Sequence, residues 1–308
     1  MLSKRLRRRL RQIDDGPRRA PEPERPNTPA QPVRVGAPEL SRRRLADRVR
    51  VATPASSERS VPPVLSGPLD ELVPGTSVEG EQGACWLVEQ PVTAALPHGA
   101  AILAALEAII SAEDAAEKLH AQLAGLRPDQ LVLLDTETGG LSSAPVFLIG
   151  LIVWPGERAD EGRVLQMLAR DYAEERAVLA EAARLLAGRR VLMTYNGRSF
   201  DLPMMRERMI YHGLGPCPEP PTHLDLLHEV RARFRGDWPD CRLQTLERRL
   251  CGRSRWDDID GAAIPDAWHE FVHSGEAGRI AQIMEHNRLD LITMLEALPH
   301  LGRRSGEQ

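Results

Sequence analysis

Aromatic residues are scarce: Phe, Trp and Tyr make up 4% of the 308 residues, against 42% hydrophobic residues in all. A core must therefore rest on Leu, Val, Ile and Ala. Cysteine is rare as well. Cys85, Cys217, Cys241 and Cys251 are the four present, and no two have C-x-x-C spacing. That disfavours zinc and dithiol redox chemistry. It suits a reducing compartment better than a secreted disulfide framework, so a cytoplasmic location is expected. No apolar run reaches the ~18 residues of a membrane span. The basic start "MLSKRLRRRLRQ" is followed by no apolar segment, so it does not read as a secretory signal.

Charge is distributed unevenly. Residues 1–75 hold 16 Lys/Arg and 9 Asp/Glu, a net of +7; the remainder holds 24 and 35, a net of −11. An acidic body does not suit non-specific nucleic-acid binding. A pocket that holds divalent cations fits it better. Residues 1–75 are rich in Pro, Arg, Ser and Ala, as in "RRAPEPERPNTPAQPVRVGAPEL". With little apolar surface to offset ordering entropy, this stretch is expected to be a disordered basic tail. Its "SKRLRRRLRQI" reads as a solvated segment, with contact to nucleic acid or another polyanion as the alternative.

Next, "GACWLVEQPV" (83–92) predicts a strand, half of a hairpin that starts near Ser77. Residues 100–125 are Ala/Leu-rich with helical spacing. Residues 76–125 thus read as a strand/helix extension packing on the core. Apolar runs at 131–135, 146–154 and 163–172 predict three strands, and turn-sized gaps make them antiparallel neighbours. A helix over 174–188 closes on Gly188, and a fourth strand covers 190–197. Helices are expected over 201–212, 243–252 and 277–301. The expected fold class is α/β, with a mixed central sheet (three antiparallel strands, then parallel strands) flanked by helices. This element order resembles a ribonuclease H-like fold, here spanning 126–302.

Four acids stand out. Asp135 and Glu137, in "LLDTETGG" (133–140), sit at the end of the first of these strands. Residues i and i+2 of a strand point the same way, so both carboxylates can face one site. Gly139 and Gly140 let the backbone turn away directly afterwards. "YNGRSFDLP" (195–203) brings Asp201 to the start of a helix, and "HNRLD" (286–290) puts His286 and Asp290 four apart on one helical face. Hard divalent cations such as Mg²⁺ or Mn²⁺ take oxygen ligands, and two of them can hold a phosphate from both sides. A nearby imidazole can orient or deprotonate water. Taken singly, a D-x-E pair, a helix-capping Asp201 and a structural His286 are each unremarkable; their order and placement make a shared metal site the better reading.

The series D-T-E-T-G-G-L, N-G-x-x-F-D-x-P and H-N-x-x-D resembles the three exonuclease motifs of the DEDD superfamily, the DnaQ-like 3′–5′ exonucleases. It is most similar to the YprB-like branch, ribonuclease H-like domains of uncharacterised bacterial proteins. "HLDLLHEVR" (223–231), "CRLQTLERRLCG" (241–252) and "DDIDGAAIP" (257–265) share in the likeness, which covers about 131–300. A weaker echo lies in "GACWLVEQPVTAALPHG" (83–99). The resemblance implies two divalent cations, Mg²⁺ or Mn²⁺, held by Asp135, Glu137, Asp201 and Asp290, with His286 as general base. Three residues separate His286 from Asp290, the spacing of the tyrosine subclass, and alignment of the site without proton transfer is the alternative role. Asn196 and Phe200 fall near substrate in this reading; core packing is the alternative for Phe200.

Asp225 reads as a structural acid, with support of the metal ligands from behind as the alternative; Arg242, Arg248 and Arg249 read as solvent-facing charges, with phosphate contact as the alternative. The expected activity is hydrolysis of phosphodiester bonds in single-stranded DNA or RNA, from 3′ to 5′ by resemblance. The rivals are a non-catalytic nucleic-acid-binding module and a subunit that docks to a partner, such as a helicase, through the N-terminal region.

Overall fold

The computed structural model describes residues 65–95, 98–112, 118–141, 143–255 and 258–301. The expected tail falls mostly outside these residues, including "SKRLRRRLRQI". Structure begins before residue 75, with the short helix α1 (Leu69–Leu72), followed by a buried Val73. The predicted hairpin is present as β1 (Thr76–Gly80) and β2 (Gly83–Pro91). Three helices follow: α2 (Val92–Ala95), α3 (Gly99–Ile110) and α4 (Lys118–Leu123). Then come β3 (Leu131–Thr138), β4 (Val146–Val153) and β5 (Arg163–Leu168). Helix α5 (Glu175–Leu186), β6 (Val191–Thr194) and α6 (Asp201–Tyr211) match expectation closely. The remainder is β7 (Thr222–Asp225), α7 (Leu226–Phe234), α8 (Leu243–Leu246), α9 (Ile264–Ser274) and α10 (Gly278–Leu301).

The strands form one seven-stranded sheet in the order β1-β2-β5-β4-β3-β6-β7. The first five are antiparallel neighbours, while β6 and β7 join parallel to β3. The hairpin therefore does not pack on the core as an appendage; β2 pairs with β5 and continues the sheet. Strand β5 stops at Leu168, short of the expected 172, because Asp171 accepts from the amides of Ala173 and Glu174 and turns the chain into α5. The helix expected over 243–252 is one α turn followed by a wider π-helical turn, Glu247–Cys251.

Alternation along β3 feeds two cores. Val132 and Leu134 pack with α5, α6 and α9 (Val178, Met205, Trp268). Leu131 and Leu133 pack with α3 and the later part of α10 (Leu106, Leu295, Leu298). The sheet is thus covered on both faces, as its nearly continuous apolar strands require. No helix among the described residues is long and apolar enough to cross a membrane.

Candidate active site

Strand β3 is buried from Leu131 to Leu134 and emerges half-buried from Asp135 onward. By strand alternation Asp135 and Glu137 leave on the face covered by α10, and Thr136 on the face where α6 begins. Thr136 Oγ1 donates to Asp201 Oδ1 at 2.7 Å, tying the first residue of α6 to the strand. From the other face, Asn287 of α10 donates to the Asp135 carboxylate at 2.8 Å and to its backbone carbonyl at 3.2 Å. Asp290 lies one turn further along α10, and His286 Nε2 is 3.7 Å from its Oδ2. The four acids singled out from sequence thus lie around the C-terminal end of β3, in the interior of the sheet, supplied by β3, α6 and α10.

Their electrostatics reflect the crowding. Burial raises the Asp135 carboxyl well above the ordinary range, and the charges of Asp290, Glu137 and Asp201 add to it. Burial takes Glu137 up to about 8, with His286 opposing and Asp290 and Asp201 adding. Asp201 is raised to about 6, burial again leading and the Thr136 hydrogen bond opposing. Asp290 is raised by burial, against the pull of Arg255 and His286. Four acids that each resist ionisation, despite Arg255 and His286 beside them, are a site short of positive charge, and an all-oxygen donor set is what a hard divalent cation takes. The donor chemistry fits such a cation. The side chains as they stand do not yet converge on one: among the described residues no group of three or more His, Cys, Asp or Glu is arranged to hold a metal.

Part of the reason is Arg255. Its Nη2 donates to Asp290 Oδ1 at 2.5 Å, its Nε to Glu247 Oε2 at 2.7 Å, and its Nη1 lies 3.4 Å from Asp258 Oδ2. Arg255 is itself buried, and Glu247, at the start of the π-helical turn, also pairs with Arg253. Asp258 in turn meets His286 Nδ1 at 2.6 Å. Burial works against charge on His286, but the Asp258 hydrogen bond and the fields of Asp290 and Glu137 outweigh it and raise the imidazole to about 9. In this arrangement His286 is held protonated at neutral pH.

Three residues escaped the sequence reading. Asn287 is fully buried between Asp135 and Gln166, and its only signal was its place beside His286. Asp258 lies inside the motif 257–265, which carried no assigned role, and Arg255 just before it. Asn196 and Phe200 stand between β6 and α6. Asn196 takes the left-handed conformation (φ 67°), where asparagine is among the better tolerated residues, and its amide donates to Asp225. Phe200 is 53% exposed, which removes core packing as its role. Asp225 is structural as expected: it caps α7 through the Leu227 amide and holds the amides of Asn196 and Arg198. The Gly139 amide is used by Pro145 O.

The chain is 26% identical over 214 residues to the uncharacterized protein YprB of Bacillus subtilis (strain 168), a match over 67% of this chain and 50% of the relative. It therefore spans about half the length of that curated relative. Among solved structures, a family B DNA polymerase from the archaeon Pyrobaculum calidifontis superposes with a TM-score of 0.44 at 16% identity, over 56% of this chain and 24% of the polymerase. The family described as RNase_H superfamily matches residues 132–301, which contain all four acids. That match takes in more than half of the chain, so the protein belongs to the ribonuclease H superfamily and carries a YprB-like ribonuclease H-like domain.

Proposed function

We propose that this protein is a metal-dependent nuclease that hydrolyses phosphodiester bonds of single-stranded nucleic acid, in the 3′–5′ direction, with residues 126–302 as the catalytic domain. One observation carries the proposal: Asp135, Glu137, Asp201 and Asp290 come from three separate elements to the C-terminal end of β3, where burial and mutual repulsion oppose their ionisation. A fold gains nothing in stability from that, whereas a cation-binding site does. Two Mg²⁺ or Mn²⁺ ions held by the four carboxylates would supply a water nucleophile at neutral pH and stabilise the leaving oxygen.

The chain's own residues prepare this. Thr136 and Asn287 fix the directions of Asp201 and Asp135. Asp258 fixes the ring of His286. Neutralising Glu137 and Asp290 would remove two of the influences that keep His286 protonated, so its general-base role depends on a filled site. Phe200, exposed beside Asp201, is positioned to touch a base or sugar.

The second reading is a nucleic-acid-binding module without catalysis. On its side stands the Arg255–Asp290 pair, which occupies one oxygen of a proposed ligand. Docking to a helicase-like partner through the N-terminal region is compatible with either reading. The test is cleavage of 3′- and 5′-labelled single-stranded DNA and RNA with Mg²⁺, Mn²⁺ or EDTA, beside Asp135→Ala. Metal-dependent laddering from the 3′ end, absent in the variant, is expected. No cleavage of any substrate with binding intact would favour the binding module, and cleavage surviving in Asp135→Ala would overturn the site.

A further inference from the structure

Beside the acidic site lies a second cavity of different character. It has a volume of about 890 Å³ and is lined by Arg231, Arg235 and Arg242, with Tyr195, Trp238 and Asp240 among its other walls. Its place is set by the sheet. Tyr195 and Asn196, which both line it, directly follow β6, and β6 is the parallel neighbour of β3, which carries Asp135 and Glu137. Arg231 comes from α7, and Arg242 immediately precedes α8. The acids and the cavity thus lie at the C-terminal ends of two neighbouring parallel strands.

Several arginines of this molecule are paired with carboxylates, as Arg127, Arg170, Arg206, Arg208, Arg253 and Arg255 show. Arg231, Arg235 and Arg242 are exposed and make no ion pair among the described residues, in a body that carries an excess of 11 acids. The one acid in the cavity wall, Asp240, is exposed, and its Oδ1 accepts from the Arg242 amide at 3.0 Å and from Thr245 Oγ1 at 2.6 Å. The aromatic wall is fixed. Trp238 stacks on Phe234 at 4.0 Å between centroids and 3° between planes, and the Tyr195 hydroxyl donates to Cys241 O at 2.6 Å.

Unpaired guanidinium groups around a cavity with a rigid aromatic wall suit a phosphodiester chain, with charge for the backbone and a ring for a base. A lone phosphate ion would need far less space, since this volume lies near the upper end of the ~300–1,000 Å³ of ligand pockets. We propose that the cavity between α7 and α8 is the strand-holding subsite of this protein, in which Arg231, Arg235 and Arg242 grip backbone phosphates of a single strand whose neighbouring linkage lies at the carboxylates. The inference rests on the nuclease reading for the role of the carboxylates, but the grip itself does not require cleavage. An acidic catalytic site repels its own substrate, and an adjacent basic cavity offsets that repulsion without placing cations among the metal ligands.

Binding is the test that separates the two. A fluorescein-labelled single-stranded oligonucleotide is titrated into the full chain by anisotropy in Mg²⁺, in the Asp135→Asn background so that no cleavage intervenes, across a salt series. Removing three phosphate contacts by Arg231→Gln, Arg235→Gln and Arg242→Gln together should lower the slope of log affinity against log salt by about 2. Each single substitution, at an exposed position that leaves the melting temperature in place, should lower it by roughly 0.7. Replacement of all three by Lys should restore the slope. Unchanged affinity and slope in the Gln variants would overturn the subsite, whatever the cleavage assay shows. So would Arg-dependent binding of inorganic phosphate or a mononucleotide as tight as that of the oligonucleotide, which would mark a small-anion site. Loss of cleavage in every substrate, with Arg-dependent binding of the strand retained, would leave the subsite standing and remove the nuclease reading.

Discussion

Gly150 lies in the middle of β4, paired with Asp135 on one side and with Gln166 on the other. A Cβ at this position would stand 2.1 Å from Asn287 Oδ1 and 2.8 Å from both Asn287 Cγ and Leu291 Cδ1. Asn287 cannot swing away freely. It is fully buried, accepts from Gln166 Nε2 at 3.0 Å and donates to Asp135 Oδ2 at 2.8 Å. Gly150→Ala must therefore break at least those two bonds. The neutral one is worth ~1 kcal/mol and the charge-assisted one ~2 kcal/mol, a total of about 3 kcal/mol, in the range for overpacking a core. For a domain of this size that is a fall of roughly 6–12 °C in melting temperature. The decisive assay is a double-mutant cycle by urea denaturation. In the Asn287→Ala background the nearer clash partner is gone and only the terminal methyl of Leu291 has to shift, so Gly150→Ala should cost about 1 kcal/mol, a coupling of roughly 2 kcal/mol. Additive costs would refute the claim that the glycine exists to seat Asn287 against the strand. Cleavage should fall in Gly150→Ala as well, because Asp135 loses the donor that orients it.

Arg255→Gln should tighten Mn²⁺ binding in calorimetry, since it frees one Asp290 oxygen and removes a cation from the site, while lowering stability by ~1–3 kcal/mol, because buried Glu247 loses one of its two arginines and keeps Arg253. Unchanged or weaker Mn²⁺ affinity would mean that Arg255 does not compete with a cation there. The raised His286 sets a pH dependence for the metal-free protein: its folded value of about 9 exceeds the ordinary 6.5, so the stabilisation is complete below pH 6.5 and is lost as pH rises through 9. The loss should reach up to ~3 kcal/mol between those limits in chelator-treated protein, and His286→Gln should lack that slope; an identical slope in the variant counts against the assignment. Arg208→Met should cost ~3–5 kcal/mol, because Glu175 is buried and holds Arg208 through both Nε at 2.7 Å and Nη2 at 2.6 Å. A denaturation midpoint within ~1 kcal/mol of wild type would show that His212 and the Val146 amide suffice for that carboxylate.

Much of the frame was legible because it is local. The apolar runs of β3, β4 and β5 are dense enough to mark buried strands, and the gaps between them too short for anything but antiparallel pairing. Strand β7 was missed. Its four residues, "THLD", include polar positions and show no periodicity, and it is a strand because the open edge of β6 offers hydrogen bonds and Asp225 caps the helix that follows. The place of the β1–β2 hairpin was missed for a similar reason. Its residues mark a hairpin, but only the free edge of β5 makes it part of the sheet.

The site divides along the same line. Strand alternation and helical spacing by themselves bring Asp135 to Glu137 and His286 to Asp290, since each pair lies within one element. What surrounds those pairs depends on elements that approach from elsewhere in the chain. Thr136 meets Asp201 across 65 positions and Asn287 meets Asp135 across 152. Arg255, 35 positions before Asp290, folds back from the π-helical turn to neutralise it. Sequence thus determined which acids exist and which pairs share a face. Only the tertiary structure decided their charge state, because burial and the nearness of Arg255, Asp258 and one another set whether a carboxyl or an imidazole holds its proton, and none of those distances is written in the spacing of residues along the chain.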